Sequence, residues 1–336
     1  MKELMLAVTR AFANSHSWRP PFVPVGLKPM IRTFMVAVSL AAAPTSSSEA
    51  LAQQSSQDTA SIPDLSGFWG DQYLYGIEAP LSGPGPVLNR SRISIGLQKD
   101  KSNPFQLVGD YTNPILKPQA AEVVKKHGEI SLNGAGYPSP RNQCWPQGVP
   151  FIFTNFAVVL LQQPDKTTIL YEQDHEVRYV RMNQPHPAQL TPSWYGDSVG
   201  HYEGDTLVID TVGIKIGPFS AVDQYGTPYT QALHVVERYR LIDYAAAKEA
   251  QERGGKENLR LDALAEGWAA DPNYKGKGLQ LQFTVEDEGV FTTAWAATKT
   301  YRRVFRDWPE GVCSENPHRY GTEKDPAVPT ADNPDF

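Results

Sequence analysis

The sequence is short of cysteine and of long apolar segments, and each shortage excludes a class of protein. Two cysteines, Cys144 and Cys313, occur in 336 residues, which excludes a small disulfide-rich scaffold and a multi-cysteine zinc module. No segment is apolar over the roughly 18 residues that a membrane-spanning helix needs. We therefore expect no stable membrane insertion.

Basic residues are also too few for some partners. The chain has 31 Lys and Arg against 37 Asp and Glu. Residues 1–52 carry five of the basic and two of the acidic residues, so the net charge without them is −9. Nucleic-acid binding needs a basic face, and anionic lipid attracts basic segments. No nucleic-acid partner is expected, and the sequence identifies no protein partner.

The first 52 residues differ from the rest of the chain. After residues 1–29, Met30–Ala52 carries a basic residue (Arg32), a short apolar core (Phe34–Ala43) and the small-x-small triplet Ala50-Leu51-Ala52. This order is typical of a secretory signal peptide. We predict an over-extended start at 1–29, cleavage before Gln53, and a periplasmic or secreted product. The alternatives are a genuine disordered extension before Met30 or an N-terminal core helix.

The remaining chain is predicted to form a single β-rich domain over 53–316 and a polar tail over 317–336. Helices are predicted at Lys117–Glu129 and after Asp243, with Gly128 and Gly254-Gly255 at their ends. Short connections between strands favour a mainly β, antiparallel, barrel-like sheet of the calycin or lipocalin kind, with a β-sandwich as the alternative. The predicted strands alternate in hydrophobicity or are rich in β-branched and aromatic residues. Ile62–Trp69 leads into the first strand, and the others are Phe151–Gln163, Thr167–Met182, Thr206–Val212, Leu233–Ile242, Leu279–Val285 and Phe291–Phe305.

The two cysteines are predicted to pair. An exported protein enters an oxidising compartment, and the loop closed by Cys144 and Cys313 is long enough that the chain-entropy model gives about 5 kcal/mol of stabilisation. The alternative is two separate buried thiols.

Alternation along the strands predicts a polar site. If Thr168–Arg181 is one strand, its more apolar face points His175 inward, whereas a bulge near Asp174 turns Glu172 and Arg178 inward instead. A buried carboxylate at Asp210 needs a partner, for which Arg238 is a candidate, as Glu237 is for Arg178. The predicted catalytic residues are His175, His234, Asp210 and Arg178, with imidazole–carboxylate pairs as general base and Arg as anion holder. The predicted ligand-binding residues are Tyr171, Glu172, Tyr179, Trp194, Tyr202, Glu237 and Arg238. The same groups also suit internal salt bridges without chemistry.

Two other kinds of site are weakly indicated. His175, His186, His201 and His234 lack a compact ligand spacing, so no cofactor is predicted and a metal held by these histidines is a minor option. Gly196, Ser198 and Gly200 match the spacing of a nucleophile elbow, but that motif needs a strand before it and a helix after it. We expect a tight loop there, in which Asp197 and Ser198 bond to the backbone.

Three segments, LYEQDHEVRYVRM, HPAQLTPSWYGDSVGHYEGDTLVIDTVGI and ALHVVERYRLID, carry a resemblance. They are similar to a large group of mostly uncharacterised exported bacterial proteins with a G-x-S-x-G-x-W-E-G-D-T-L-V-V-D-T core. CWPQGVP and Cys313-Ser-Glu-Asn fit the same pattern, and the likeness spans about Ser139 to Asn316. This chain has Tyr202 where the group has Trp, and a helical insertion after Asp243. The resemblance implies export and a β-rich fold, and implies no reaction.

Three functions fit these features. The first is the binding of a small aromatic or hydroxylated molecule in a polar-lined pocket. The second is acid–base catalysis by a lyase, isomerase or hydrolase, and the third is a structural or partner-binding role in the cell envelope.

Overall fold

The computed structural model describes residues 62–71, 73–74, 77–90, 107–133, 137–154, 157–257, 259–260, 273–304 and 312–313. The predicted signal peptide, the predicted start at Gln53 and the tail 317–336 lie outside the described residues.

The described part of the chain is mainly β, with two helices. In chain order the elements are β1 (Gly67–Gly70), β2 (Tyr73–Leu74), α1 (Pro118–Leu132), β3 (Ala157–Gln162), β4 (Lys166–Tyr171), β5 (Val177–Met182), β6 (Asp197–Glu203), β7 (Thr206–Val212), β8 (His234–Ile242), α2 (Tyr244–Glu257), β9 (Leu259–Arg260), β10 (Gly278–Glu286) and β11 (Trp295–Arg303).

Nine of these strands close into a barrel, in the order β1-β11-β10-β8-β7-β6-β5-β4-β3 and back to β1. Neighbouring barrel strands are antiparallel except for β5 and β6, which are parallel. β2 and β9 form a separate two-stranded sheet. The predicted barrel is confirmed and the alternative sandwich is wrong, because the sheet closes on itself and leaves its strands paired on both sides.

The segment predicted as one strand over Thr167–Met182 is a hairpin instead. The chain reverses at Glu172–Glu176, and the backbone φ of Asp174 and His175 is 53° and 50°. This left-handed region is uncommon for residues other than Gly, although Asp and His adopt it more readily than most. Because the chain turns here, the parity of β5 is opposite to that predicted from one continuous strand. Arg178 therefore faces the interior, and Tyr179 faces outward with 61% of its surface exposed.

The predicted loop around Ser198 is strand β6. Gly196 has a φ of 69°, and a Cβ on it would lie 2.7 Å from the carbonyl oxygen of Val212, so only Gly fits this turn into the strand. Ser198 bonds to Thr211 on the neighbouring strand, with 2.9 Å between their hydroxyl oxygens. Since β5 and β6 run parallel, residues 183–196 form a crossover between them.

Both predicted helices exist and run past their predicted ends. α1 continues through Gly128, which is buried against Val108, and ends at Leu132 with Asn133 as its C-cap. α2 likewise includes Gly254 and Gly255. In α1 the close packing of Gly128 against Val108 offsets the cost of a helical Gly, about 1 kcal/mol relative to Ala. The main apolar core consists of the inward-facing residues of the barrel, such as Leu160, Ile169, Leu207, Val235 and Leu281.

Candidate functional site

A buried ion pair occupies the middle of the barrel. Arg178 on β5 donates from Nη2 to Oε1 of Glu237 on β8 at 2.6 Å, and their side chains are 2% and 0% exposed. The hydroxyl of Tyr171 accepts from Arg178 Nη1 at 3.2 Å, and the hydroxyl of Tyr239 donates to Glu237 Oε2 at 3.0 Å. The predicted pairing of Glu237 with Arg178 is confirmed. Burial raises the pKa of Glu237, and the charge of Arg178 opposes that rise.

The barrel interior holds a second ion pair. Lys299 on β11 lies 3.2 Å from Asp71, and their side chains are 0% and 3% exposed. Burial lowers the pKa of Lys299, and Asp71 opposes this effect. Phe283 on β10 is also buried, with 2% of its surface exposed. The barrel interior thus contains two buried ion pairs, Arg178–Glu237 and Lys299–Asp71.

One end of the barrel carries two carboxyl groups with raised pKa values, on either side of the β4–β5 turn. Burial raises the pKa of Glu176 to about 8, although its Oε1 accepts from the backbone N–H of Gln147 at 2.8 Å. Burial raises the pKa of Glu172 to about 7, opposed by the charge of Arg141. Carboxyl groups with pKa values near neutrality both donate and accept protons at physiological pH.

A disulfide ties this end of the barrel together. Cys144 and Cys313 are bonded, with a Cα–Cα distance of 5.4 Å, which confirms the predicted pairing. The backbone N–H of Cys313 donates to Oδ1 of Asp174 in the β4–β5 turn at 2.6 Å. The crosslink thus connects the segment 137–154, the end of the described chain and the turn between Glu172 and Glu176.

Four aromatic side chains meet in an open cleft next to this end. We define the aromatic cleft as the surface lined by Pro140, Trp145, Pro146, Gly148, Trp194, Gly217, Phe219, Ser220, Ala221 and Tyr229. Trp145 makes edge contacts with Trp194, at 5.1 Å between ring centroids, and with Phe219, at 5.7 Å. The Lys215 ammonium lies 4.7 Å from the Trp194 ring centroid. Each of the four rings remains half-buried, so part of each faces solvent.

A hydrogen-bonded network of ionisable side chains lies on the outer face of the barrel, whereas the two buried ion pairs face its interior. Arg181 donates to both oxygens of Asp197 at 2.8 and 3.0 Å. His186 on the crossover places Nδ1 2.6 Å from Asp197 Oδ1 and Nε2 3.1 Å from Asp210 Oδ1. His234 Nε2 lies 3.0 Å from the same Asp210 oxygen. The hydrogen bond from His234 lowers the pKa of Asp210, and that bond in turn raises the pKa of His234. This network connects the crossover to β6, β7 and β8.

Of the four predicted catalytic residues, Asp210 and His234 meet, but Arg178 and His175 lie elsewhere, so the prediction that all four converge in one pocket is wrong. Arg178 points into the barrel, whereas Asp210 and His234 lie on its outer face. His175 is exposed in the β4–β5 turn. The physical reason is the reversal at Asp174, which ends the strand on which His175 was placed. The predicted pairing of Asp210 with Arg238 is also wrong. Arg238 pairs with Glu203, and Asp210 bonds to His186 and His234.

The predicted ligand-binding residues divide among several places. Tyr171 and Glu237 belong to the buried core, and Glu172 lies at the barrel end. Tyr202 accepts a hydrogen bond from Gln162 Nε2 at 2.7 Å. Tyr179 and Arg238 face outward. Of the seven, Trp194 alone lines the aromatic cleft.

The four histidines of the optional metal site do not come together. His186 and His234 meet at Asp210, while His201 bonds to Glu203 at 3.1 Å. Within the described ranges, no three His, Cys, Asp or Glu side chains stand where they could share a metal ion. In the same ranges, no helix combines the length and the apolarity that crossing a membrane requires.

Sequence reasoning missed most of the residues at the barrel end and the cleft. Trp145, Phe219 and Tyr229 lie in turn-rich segments, where alternation gives no face. Glu176 lies within the predicted strand Thr167–Met182, but alternation does not distinguish it from the other polar residues of its face, and Tyr195 lies outside the predicted strands. The signal available was the density of aromatic residues in loops, since loops carry binding residues more often than strands do.

Comparison with known proteins gives no further information about this site. No family model, no curated protein and no solved structure matches the chain.

Proposed function

We propose that the protein is exported and binds a small aromatic molecule at the aromatic cleft. One observation carries the proposal: four half-buried aromatic rings from three separate segments converge on one surface. Trp145 comes from 137–154, Trp194 from the crossover, and Phe219 and Tyr229 from the connection between β7 and β8. Clustered apolar surface left open to water is a common mark of an interaction site.

The cleft suits stacking at its surface better than engulfment. The space it encloses is about 10 Å³, room for about one water molecule. A ligand ring therefore contacts the open faces and edges of the four rings. Covering about 100 Å² of apolar surface would contribute about 2.5 kcal/mol, and an edge-to-face ring contact adds about 0.5–1.5 kcal/mol.

The rings are held in place by the backbone around them. A Cβ on Gly217 would lie 2.8 Å from the Trp194 ring, so a glycine at this position lets the loop pack directly against the indole. Tyr229 donates its hydroxyl to the carbonyl oxygen of Lys215 at 2.9 Å. A cleft whose walls are already ordered loses less conformational entropy when a ligand binds.

Export is supported by the disulfide and by the composition of Met30–Ala52. Stable disulfides form mainly in oxidising compartments such as the periplasm or the extracellular space. The Cys144–Cys313 bond closes a sequence separation of 169 residues and anchors the segment that carries Trp145. An oxidising compartment therefore also preserves one wall of the proposed binding site.

Isothermal titration calorimetry with 2-methoxynaphthalene tests the binding proposal. We expect the wild type to bind this apolar probe, and Trp194→Ala to weaken binding at least tenfold because it removes one of the two indole rings that line the cleft. Tyr179→Ala is the matched control, since Tyr179 is an exposed aromatic residue on the outer face of β5. Equal affinity of the two variants, or no binding to the wild type, would contradict the proposal.

A further inference from the structure

An exposed lysine lies at the rim of the aromatic cleft. The ammonium group of Lys215 is 4.7 Å from the centroid of the Trp194 ring, which forms one wall of the cleft, and Lys215 is exposed to solvent. An ammonium at this distance is attracted to the electron-rich face of an indole. Within the described residues this ammonium pairs with no carboxylate, so its three N–H groups remain free to donate to a ligand.

The backbone holds Lys215 at this position. Its N–H donates to the carbonyl oxygen of Ser193 at 2.8 Å, and its own carbonyl oxygen accepts from the Tyr229 hydroxyl at 2.9 Å. Ser193 directly precedes Trp194, and both Trp194 and Tyr229 line the cleft. The main chain of Lys215 is therefore fixed between two walls of the cleft, and only its side chain has to move to meet a ligand.

The surface of the cleft carries no negative charge of its own. Its ten lining residues include no Asp and no Glu. Tyr229 is the one ionisable residue among them, and burial raises the pKa of its hydroxyl, so this group is uncharged at neutral pH. Lys215 thus places a positive charge at the rim of an apolar, uncharged surface.

We propose that the protein prefers aromatic ligands that carry an anionic group, such as aromatic carboxylates, and that Lys215 determines this preference. The inference rests on the proposed function, since the aromatic cleft binds the ring of the ligand. With the ring against Trp194, a carboxylate on its edge reaches the Lys215 ammonium at the rim without entering the protein. The contact is a charge-assisted hydrogen bond, but both groups stay partly hydrated, so its contribution is small.

Isothermal titration calorimetry at pH 7 and low salt with 2-naphthoate and 2-naphthamide tests this preference. The two probes share the ring and the planar substituent, and they differ in charge. We expect 2-naphthoate to bind about fivefold more tightly than the amide, the equivalent of about 1 kcal/mol. High salt should reduce the preference, because salt screens an exposed ion pair.

Variants of two lysines assign the effect to one of them. Lys215→Met keeps a side chain of similar length without the charge, so it should bind both probes equally, whereas Lys215→Arg should retain the preference for 2-naphthoate. Lys166→Met is the matched control. Lys166 lies 5.4 Å from the ring centroid of Tyr179, an exposed residue on the outer face of β5, and it does not line the cleft. This variant should keep the wild-type preference.

The outcomes separate the two proposals. If the wild type binds both probes equally, or if Lys215→Met keeps the preference, the role of Lys215 is wrong while the cleft stands. Loss of the preference in Lys166→Met as well would assign it to overall charge and would equally contradict that role. If the wild type binds neither these probes nor 2-methoxynaphthalene, the cleft is wrong and the role of Lys215 with it.

Discussion

The Arg178–Glu237 pair gives a sharp test of how the barrel interior is stabilised. Glu237→Leu removes the carboxylate and leaves the Arg178 guanidinium charged, 2% exposed, and bonded to the Tyr171 hydroxyl. Breaking a buried ion pair in this way costs about 3–5 kcal/mol, because the remaining charge has lost its compensation. We therefore expect Glu237→Leu to lower the free energy of unfolding by that amount.

The double variant Arg178→Met/Glu237→Leu should recover most of the loss. It removes both charges and replaces them with apolar side chains, an exchange that is often neutral or stabilising. The Tyr171 and Tyr239 hydroxyls lose their charged partners but retain a hydrogen bond to each other. We expect the double variant to be within about 2 kcal/mol of the wild type.

Urea unfolding of the oxidised protein, followed by tryptophan fluorescence and far-UV circular dichroism, measures both effects. Arg238→Met is the matched control on the next outward position of β8. Arg238 pairs with Glu203 on the surface, with the two side chains 43% and 48% exposed, so its loss should cost less than about 1 kcal/mol. If the double variant is no more stable than Glu237→Leu, an isolated buried charge is not the cause of the destabilisation.

Two further predictions concern the barrel end. Replacing both cysteines by Ser breaks the Cys144–Cys313 bond and should lower the free energy of unfolding by at most about 5 kcal/mol, the chain-entropy value for this sequence separation. Urea midpoints measure this loss. An unchanged midpoint would contradict the proposal that the disulfide stabilises the fold. Glu176→Gln should flatten the pH dependence of stability. The folded pKa of Glu176, about 8, exceeds the unfolded value of about 4.3, so wild-type stability is fully present below the unfolded pKa and falls as pH rises toward 8, by up to about 1.4 kcal/mol per pH unit. Urea midpoints at pH 5 and pH 8 should therefore differ less in Glu176→Gln than in the wild type, while exposed Glu288→Gln keeps the wild-type difference.

Hydrophobic alternation was sufficient for much of the barrel because it directly reports which face is buried. The strands Thr206–Val212 and Leu233–Ile242 lie within a residue of their predicted bounds, and Glu237 faces Arg178 as expected. Alternation failed at Asp174, where two consecutive residues of positive φ reverse the chain without a Gly or Pro to mark the turn. A single reversal inverts the parity of every residue after it. Arg178 therefore faces the interior and Tyr179 faces outward, the reverse of the assignment from one continuous strand.

The site was harder to predict than the fold for a related reason. Its aromatic residues, such as Trp145 and Phe219, come from segments without regular structure, where alternation does not predict which way a side chain faces. Sequence alone favours histidine over Glu176 as an acid–base group, because the ordinary pKa of His is the closer to neutrality. The raised pKa of Glu176 depends on burial by residues far away in the sequence, and neither composition nor spacing reports that burial.

The shortest barrel strand has a consequence for how the molecule associates. β1 has four residues, yet it pairs with β3 on one side and with β11 on the other. Arg303 on β11 fixes this seam by donating to the carbonyl oxygen of Ser66 at 2.7 Å and lying over the Trp69 ring. Proteolytic loss of these few residues would leave β3 and β11 with unpaired backbone groups facing water, and such edges can pair with a strand of another molecule. The pairing of both edges thus depends on a strand of four residues.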